Sequence, residues 1–181
     1  MTTFGTDELA DPVLMRRVCG TFATGVTVVS VGGDEPHAMT ANSFSAVSLD
    51  PPLILVCVGR DALMHQALSR AGAFGVSVLA ADQEAVARYY ADRRRPLGQE
   101  QFEFTEWRPG ARTAAPLLGG AAAHIECELW RSYDGGDHTI FLGRPCGMRR
   151  YDDGDGDGEA LVFLGGRFRR LERAPSAVVT S

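Results

Sequence analysis

Short apolar runs, separated by turn residues, are the feature that most limits how this chain can fold. They are TGVTVVSV (24–31), PLILVCVG (52–59), FGVSVLA (74–80), AHIECELW (123–130), HTIFLGRP (138–145) and ALVFLGGRFRRL (160–171). Their length and their many β-branched residues predict strands. PLILVCVG has no charged or hydroxyl residue, which is typical of a strand buried on both faces. In AHIECELW, the alternation places Ile125, Cys127 and Leu129 on one face.

Helical patterns are few and lie between these runs without a regular strand–helix–strand repeat. Three are predicted: one that starts at Asp11-Pro12 and carries Leu14, Val18 and Phe22 on one face, one capped by Asp61 and stopped by Gly72, and one capped by Asp82 and ended by Pro96. Residues 97–120 predict a long loop with a short element near 102–107. The whole pattern favours a mainly β fold with some α, a closed or nearly closed barrel with helices outside. We expect one domain over 1–173 and a disordered tail over 174–181.

Composition excludes several classes of protein. A net charge of −5 argues against nucleic-acid binding. No apolar run approaches the roughly 20 residues of a membrane span, and the polar, acidic start predicts no signal peptide. Four scattered cysteines without a CxxC pair predict a cytoplasmic protein with reduced thiols. All 18 basic residues are arginine, which excludes lysine chemistry.

Most motif-like features have a structural explanation. The acidic run DDGDGDGE (152–159) opens like a calcium loop, but Leu164 stands at the twelfth position, where a bidentate glutamate is needed, so we predict a solvated hairpin loop. The histidines show no zinc spacing with the cysteines, and His65 and His124 are predicted to be structural. His138 is the exception, because it follows Asp137 and a Gly-Gly turn at a strand end. Neither a GxSxG elbow nor a strand followed by GxGxxG is present.

The stretch MTANSFSAVSLDPPL (39–53) places small polar residues just before a buried strand. Polar side chains are costly to bury unless something satisfies them. Their partners could be backbone groups in turns, or a ligand with many donors and acceptors, such as a flavin ring edge, a ribityl chain or a phosphate. The small residues here would let backbone amides approach a flat ring. The polar residues are Thr40, Asn42, Ser43, Ser45 and Ser48.

Arginines near a predicted helix start suggest an anion site, though a solvated helix end explains part of the same pattern. Gly59-Arg60-Asp61 lies where free N–H groups and the helix dipole favour negative charge. Arg60 and the run Arg93–Arg95 could add fork-shaped contacts to phosphate oxygens. The residues alone leave both interpretations open.

The chain resembles the flavin reductase-like family, small flavin:NAD(P)H reductases that serve as the reductase component of two-component flavin-dependent monooxygenases. The resemblance rests on FATGVTVVS (22–30), MTANSFSAVSLDPPLILVCV (39–58), FGVSVLA, IECEL (125–129), GDHTIFLGRP (136–145) and ALVFLGGRFRRL, in the family's order. It implies a Greek-key split β-barrel and a homodimer with flavin near the subunit interface. FAD or FMN would be reduced by NADH or NADPH, and the reduced flavin would pass to a partner monooxygenase.

The resemblance also assigns roles to residues by position. Thr40, Ala41, Asn42 and Ser43 would line the isoalloxazine, and the pocket would continue along Ser45, Val47 and Ser48. The ribityl chain and phosphate would meet Cys57, Val58, Gly59 and Arg60, with Arg93 and Arg94 on the phosphate side. His138 would lie beside the nicotinamide, near Gly166, Arg167 and Phe168.

One position departs from the family and leaves the cofactor choice open. Asp61 and Ala62 stand where many relatives carry hydroxyl residues. Asp61 would repel a phosphate unless it caps the helix, so FAD or FMN, and NADH or NADPH, stay undecided. A non-catalytic flavin- or haem-binding sensor or storage protein on the same barrel is the main alternative. A pyridoxamine-phosphate-type oxidase fits the motifs less well.

Overall fold

Twelve strands and three α-helices form the part of the chain that the computed structural model describes, residues 11–151 and 159–171. The strands are β1 Thr24–Gly25, β2 Thr27–Val31, β3 His37–Ala41, β4 Ser45–Leu49, β5 Pro52–Gly59, β6 Ala73–Val78, β7 Trp107–Pro109, β8 Pro116–Leu118, β9 Ala123–Gly135, β10 His138–Arg150, β11 Val162–Leu164 and β12 Arg167–Arg169. The predicted acidic loop over 152–159 falls almost wholly outside the described residues, and the predicted tail entirely so. No helix in the described ranges has the length and apolar character needed to cross a membrane.

Seven strands form one antiparallel sheet in the order β3-β2-β6-β9-β10-β5-β4. The strands at its two edges, β3 and β4, are consecutive in the chain and are joined by only residues 42–44. Four Cα steps span at most about 15 Å, so the sheet must curl until its edges approach. Ser43 links them further, because its hydroxyl donates to the Cys57 carbonyl at 2.9 Å and accepts from the Cys57 N–H at 3.0 Å. This curled, incompletely closed sheet agrees with the predicted split barrel.

The helices pack outside the sheet, and their starts differ partly from expectation. At α1 (Pro12–Cys19), the Asp11 carboxylate accepts from the Val13 N–H, which confirms the predicted cap. At α2 (Leu63–Ala71), Ala62 occupies the cap position without a side-chain bond, so the predicted Asp61 cap is wrong. The Asp61 carboxylate lies instead 3.6 Å from the Arg93 guanidinium. Gly72 ends α2 in the left-handed region at φ 65°, as predicted.

The third helix, α3 (Glu84–Ala91), has Gln83 at its N-cap position without a side-chain cap bond, so the predicted cap from Asp82 is wrong. The Gln83 side chain accepts from the Ala80 N–H and donates to the Gly119 carbonyl, so it ties the preceding turn to the loop beside it. The predicted stop at Pro96 is also wrong. The helix ends at Ala91 because Asp92 takes an extended conformation and its carboxylate accepts from the Arg94 N–H at 2.9 Å.

Two buried clusters form the core. One lies within the curled sheet, where Val56, Phe74 and Phe141 pack beneath Met64 and Leu68 of α2. As predicted, Ile125, Cys127 and Leu129 face this cluster together, and β5 is buried or half-buried from Leu53 to Val58. The other cluster joins α3 to the segment after it through Tyr90, Phe102, Leu118 and Leu161.

The segment predicted as a long loop, 97–120, holds more structure than expected. A 3₁₀ helix covers Gly98–Phe102, and β7 and β8 form a small antiparallel pair. Gln101 is fully buried and anchors the segment, because its amide accepts from the Ala38 N–H and donates to the carbonyls of Pro36 and Gly98. Strands of three residues are too short to show periodicity in a sequence.

The last apolar run is a hairpin rather than one strand. β11 and β12 pair through a turn in which Gly165 and Gly166 have φ of 60° and 76°. Side chains rarely adopt this conformation, which explains the two glycines. The Gly165 N–H donates to the Gly20 carbonyl at 2.8 Å, so the hairpin turn lies against the end of α1.

Candidate active site

A cavity of about 740 Å³ opens where the β3–β4 connection, the end of β5 and the β9–β10 turn meet. It is lined by Arg16, Met39, Thr40, Ala41, Asn42, Ser43, Cys57, Gly59, Arg60, Asp61, Ala62, Arg93, Asp137 and His138. Nine of these were predicted site residues, drawn from four separate parts of the sequence. A volume of this size is typical of a pocket for a cofactor or drug-sized ligand.

The hydroxyls of the polar stretch are largely satisfied by the protein's own backbone. Thr40 donates to the Ala87 carbonyl at 2.7 Å, Ser43 is bonded to Cys57, and Ser45 donates to the Ala46 carbonyl at 3.2 Å. All three hydroxyls therefore have backbone partners, but those of Thr40 and Ser43 belong to other elements rather than to local turns. Their contribution to the site is to fix the backbone of the cavity wall, while the Asn42 side chain stays exposed.

The outer edge of β3 gives this wall its polar character. β3 pairs with β2 alone among the described strands. On the side away from β2, the Ala38 N–H donates to Gln101 and the Ala38 carbonyl accepts from Arg95. Backbone groups two residues apart in an antiparallel strand point the same way. The N–H and C=O of Thr40 therefore point to the same outer side, at the cavity wall.

His138 is placed at the cavity mouth by the β9–β10 turn. It is the first residue of β10, and its cross-strand neighbours are Gly59 in β5 and Gly135 in β9. The imidazole is half exposed, and its Nδ1 lies 2.7 Å from a carboxylate oxygen of Asp137. A Cβ added at Gly59 would lie 3.7 Å from His138 Nε2 and 3.1 Å from an Asp61 oxygen, so the glycine keeps this corner open.

Arg60 is committed mainly to the turn that carries His138. Its backbone N–H donates to the Asp137 carbonyl at 3.0 Å, and its Nε donates to the Gly136 carbonyl at 2.9 Å. The guanidinium also pairs with Asp134 at 2.9 Å. These bonds tie the end of β5 to the turn while Arg60 still lines the cavity.

The three arginines after α3 point in different directions. Arg93 faces the cavity and pairs with Asp61, whereas Arg94 lies outside the cavity lining and pairs with Asp92. Arg95 turns inward, where its guanidinium donates to the carbonyls of Asp92 and Ala38 and lies over the Tyr90 ring. Burial lowers the pKa of Arg95 from its usual value.

Other predicted site residues lie outside the cavity lining. Val58 is fully buried in the core, so only its backbone could serve a ligand. On β4, Val47 sits at an irregularity in the pairing with β5 and is exposed. Phe168 packs on Phe163 and beneath the Arg88 guanidinium. The set outside the lining is Ser45, Val47, Ser48, Val58, Arg94, Gly166, Arg167 and Phe168.

The structure adds residues that the sequence did not single out. Met39, Arg16 and Asp137 line the cavity, together with Asp61 and Ala62, which the sequence marked only as a departure from the family. The position of Asp137 next to His138 was a usable signal. Arg16 was not detectable, because only the packing of α1 brings it to the cavity mouth, where its charge helps to lower the pKa of Asp137 after the larger effect of the His138 hydrogen bond.

The remaining histidines lie elsewhere. Burial, with a smaller effect from Arg95, lowers the pKa of His37 to about 4. The His65 Nε2 lies 2.8 Å from the Thr139 hydroxyl, and both ring nitrogens of His124 have protein partners. Within residues 11–151 and 159–171, no group of three or more His, Cys, Asp or Glu side chains could hold a metal ion.

Comparison with known proteins identifies the family. The model of the flavin reductase like domain matches residues 16–172. The chain is 54% identical to an NADH-dependent FAD reductase of Streptomyces globisporus over 94% of this chain and 92% of that protein. It is 40% identical to an NADH-dependent flavin reductase of a Rhodococcus species, over 92% of this chain and 90% of the relative.

Solved structures agree over the same span. The flavin reductase component of a bacterial two-component tryptophan halogenase superposes with a TM-score of 0.85 at 57% identity, covering 91% of this chain and all of that one. The Streptomyces globisporus NADH:FAD oxidoreductase, in complex with NAD and FAD fragments, gives a TM-score of 0.85 at 51% identity, covering 97% and 99% of the two chains. The chain therefore belongs to the flavin reductase-like family.

Proposed function

We propose that this chain is an NADH:flavin oxidoreductase that reduces free FAD or FMN by hydride transfer and supplies the reduced flavin to a partner monooxygenase. The observation that carries the proposal is the cavity itself, in which a strand edge, a glycine-flanked histidine and arginines converge. Relatives that match nearly end to end are named as NADH-dependent flavin reductases, and one is the reductase component of a two-component system.

The residues present fit a flavin. Small side chains at Ala41, Gly59 and Ala62 leave the cavity wall open to a flat ring, and a Cβ at Gly59 would fill part of that space. The outer edge of β3 provides backbone donors and acceptors for the ring edge. Arg93 lines the same cavity and can meet a phosphate through charge-assisted hydrogen bonds.

The chain's own residues contribute binding and orientation. When bound, the flavin accepts a hydride from the reduced nicotinamide, a reaction whose chemistry belongs to the two cofactors. The outward-pointing backbone N–H of Thr40 and the β3–β4 connection after it, held by the Thr40 and Ser43 hydroxyls, would present partial positive charge at the ring edge, where preorganised donors favour developing negative charge. His138 orients the nicotinamide from the cavity mouth. Cys57 and Gly59, which line the same cavity, would hold the ribityl chain.

The exposed apolar face of α1 supports a homodimer. Leu14 and Val18 of α1 are 39% and 59% exposed, and Phe22, which was predicted to continue the same helix face, follows the end of α1 and is 76% exposed. Val47 and Leu49 of β4 are also exposed. A second copy that covers these side chains would bring the site residues outside the cavity lining, on β4 and the β11–β12 hairpin, toward a subunit interface.

The oligomeric state can be measured directly. Light scattering on the purified chain should give twice the mass of 19.4 kDa. Val18→Glu, which places a charge on the apolar face, should shift the population toward the monomer. Arg17→Glu on the same short helix is the matched control for charge alone. A monomeric parent protein would remove the homodimer from the proposal.

The function itself is tested by nucleotide consumption. NADH and NADPH oxidation are followed at 340 nm with FAD, FMN and riboflavin added in turn, and flavin binding is followed by fluorescence quenching. We expect catalytic NADH oxidation that depends on added flavin. A tightly held chromophore with no NADH oxidation would instead indicate a sensor or storage protein. If the protein neither quenches flavin fluorescence nor oxidises NADH, the proposed flavin chemistry is overturned.

A further inference from the structure

The His138 ring has unusually little to hold it in place. Both directly opposite cross-strand neighbours are glycines, Gly59 and Gly135, so neither of these two positions presents a side chain to it. Half of the side chain is exposed. The orientation of the imidazole therefore depends on the hydrogen bond between its Nδ1 and the Asp137 carboxylate, at 2.7 Å.

That hydrogen bond also fixes which ring nitrogen carries the proton. The bond from His138 lowers the pKa of Asp137 further below its already acidic value, so Asp137 is a carboxylate at neutral pH. A carboxylate can only accept, and the hydrogen must therefore sit on Nδ1. In the neutral imidazole, Nε2 is then left as an acceptor. Nε2 is the nitrogen nearest to Gly59, on the open side of the cavity.

Asp137 is itself held in place by the turn. Its backbone carbonyl accepts from the Arg60 N–H at 3.0 Å, and Gly136 turns the chain with a φ of 78°. The Arg60 guanidinium stays on Asp134 and on the Gly136 carbonyl, so it does not compete for the Asp137 carboxylate. Arg16 faces Asp137 across the mouth and favours its ionised form.

We propose that Asp137 is a positioning residue, which holds His138 in the tautomer whose Nε2 accepts a hydrogen bond from the N–H of the nicotinamide carboxamide. This inference rests on the proposed function. Asp137 acts only through the imidazole, so it should influence the nucleotide and leave the flavin untouched. Because the carboxamide hydrogen bond is the same before and during hydride transfer, its loss should raise KM with little change in kcat.

The test is a double-mutant cycle with a nucleotide analogue. Asp137→Ala should raise the KM for NADH about three- to tenfold, the range for one lost hydrogen bond, with the flavin dissociation constant unchanged. In a His138→Ala background, the same substitution should have no further effect. With reduced 3-acetylpyridine adenine dinucleotide, which has a methyl group in place of the carboxamide nitrogen, Asp137→Ala should change KM less than twofold.

The control is Asp34→Ala, which removes an exposed carboxylate from the β2–β3 turn that is not among the residues lining the cavity. It should match the parent with both nucleotides. If Asp137→Ala leaves the KM for NADH within twofold, or raises it equally in the His138→Ala background, the proposal is wrong. Failure of the parent protein itself to oxidise NADH would instead count against the proposed function, so the two failures can be told apart.

Discussion

The β9–β10 hairpin carries a histidine and a carboxylate at each of its ends, and the two ends treat them in opposite ways. At the end away from the turn, the strand-end pole formed by His124 and Glu126, both nitrogens of His124 are bonded. Their partners are the Tyr151 hydroxyl at 3.0 Å and the Leu118 carbonyl at 2.8 Å. Glu126 beside it accepts from the backbone N–H groups of Arg112 and Thr113 and from the Thr113 hydroxyl. At the turn, His138 has one bonded nitrogen and glycines on either side.

This difference shows that polar residues alone do not mark a site. At the strand-end pole, burial would raise the pKa of Glu126, but the hydrogen bonds from Arg112 and Thr113 outweigh it and the pKa lies below its usual value. There, both His124 nitrogens and a Glu126 carboxylate oxygen are used to hold the fold together. At the turn, the polar groups are fixed by some of their atoms and keep others directed at the cavity. Satisfaction of the polar atoms, rather than their number, separates structure from function.

The largest effect on stability should come from removing the hydrogen bonds of Glu126 at the strand-end pole. Glu126→Ala removes the acceptor for three hydrogen bonds, and at about 1 to 1.5 kcal/mol each it should lower the free energy of unfolding by about 4 kcal/mol. Glu126→Gln keeps one acceptor oxygen and should lose about half as much. Urea denaturation measures both. Loss of flavin binding in a still-folded Glu126→Gln protein would contradict the structural role.

Acid should weaken the fold through its buried histidines. Burial, followed by Arg95, lowers the pKa of His37 from 6.5 to about 4, and burial also lowers the pKa of His124. A depressed pKa means that the unfolded chain takes up the proton first. The stability is therefore fully present above about pH 6.5 and is lost as the pH falls towards 4. For His37 the shift corresponds to about 3 kcal/mol.

Denaturation curves at pH 7, 5.5 and 4.5 measure this loss. His37→Gln should flatten the dependence between pH 6.5 and 4, because the residue no longer titrates. If the parent and His37→Gln lose the same free energy over this range, the assignment to His37 is wrong. His65→Gln is the matched control, since His65 is only partly buried.

Substitution of His138 at the β9–β10 turn should affect catalysis rather than stability. His138→Ala should lower kcat/KM for NADH about tenfold, equal to about 1.4 kcal/mol, because the nicotinamide loses its positioning group. The unfolding free energy should change by less than about 0.5 kcal/mol, as expected for an exposed residue. Stopped-flow flavin reduction and urea denaturation give the two values. A KM and a reduction rate both within twofold of the parent would remove His138 from the site.

The sequence predicted the strands well and the connections poorly, for physical reasons. β5 and β6 are apolar runs, and their apolar composition predicts their burial. The polar stretch before β5 was identified because polar side chains are unexpected next to a buried strand. The caps at Asp61 and Asp82 were wrong: the Asp61 carboxylate pairs with Arg93, and Ala62 and Gln83 occupy the two cap positions without a side-chain bond to the helix. The β7–β8 pair and the fully buried Gln101 depend on contacts between segments, which one sequence does not reveal.

The same limit applies to the cavity. His138 carried a local signal in its turn, and Thr40 to Ser43 carried one in their small polar side chains. Arg16 had none, since it reaches the cavity only through the docking of α1. The sequence also did not predict where the side chains of the arginine run point. Arg93, Arg94 and Arg95 are consecutive, yet they face the cavity, the exterior and the interior, respectively.

The smallest expected effect concerns Asp61, which places a negative charge beside the positive charge of Arg93 at the cavity. Its carboxylate lies 3.6 Å from the Arg93 guanidinium, and both side chains are largely exposed. A phosphate that binds Arg93 must therefore compete with Asp61. Exposed pairs of this kind contribute about 0.2 to 1 kcal/mol, so Asp61→Asn should tighten flavin binding by only about threefold.

The gain in flavin affinity should increase with the negative charge of the flavin. The phosphate monoester of FMN carries close to two negative charges at neutral pH, each phosphate of FAD carries one, and riboflavin carries none. Removal of the Asp61 charge should therefore favour FMN most, FAD less, and riboflavin not at all, with the differences reduced at high salt because exposed charges are screened. Fluorescence titration of the three flavins against the parent and Asp61→Asn measures this series. Equal tightening for riboflavin would show that Asp61 acts on the cavity's shape rather than on the phosphate, and would place the phosphate away from Arg93.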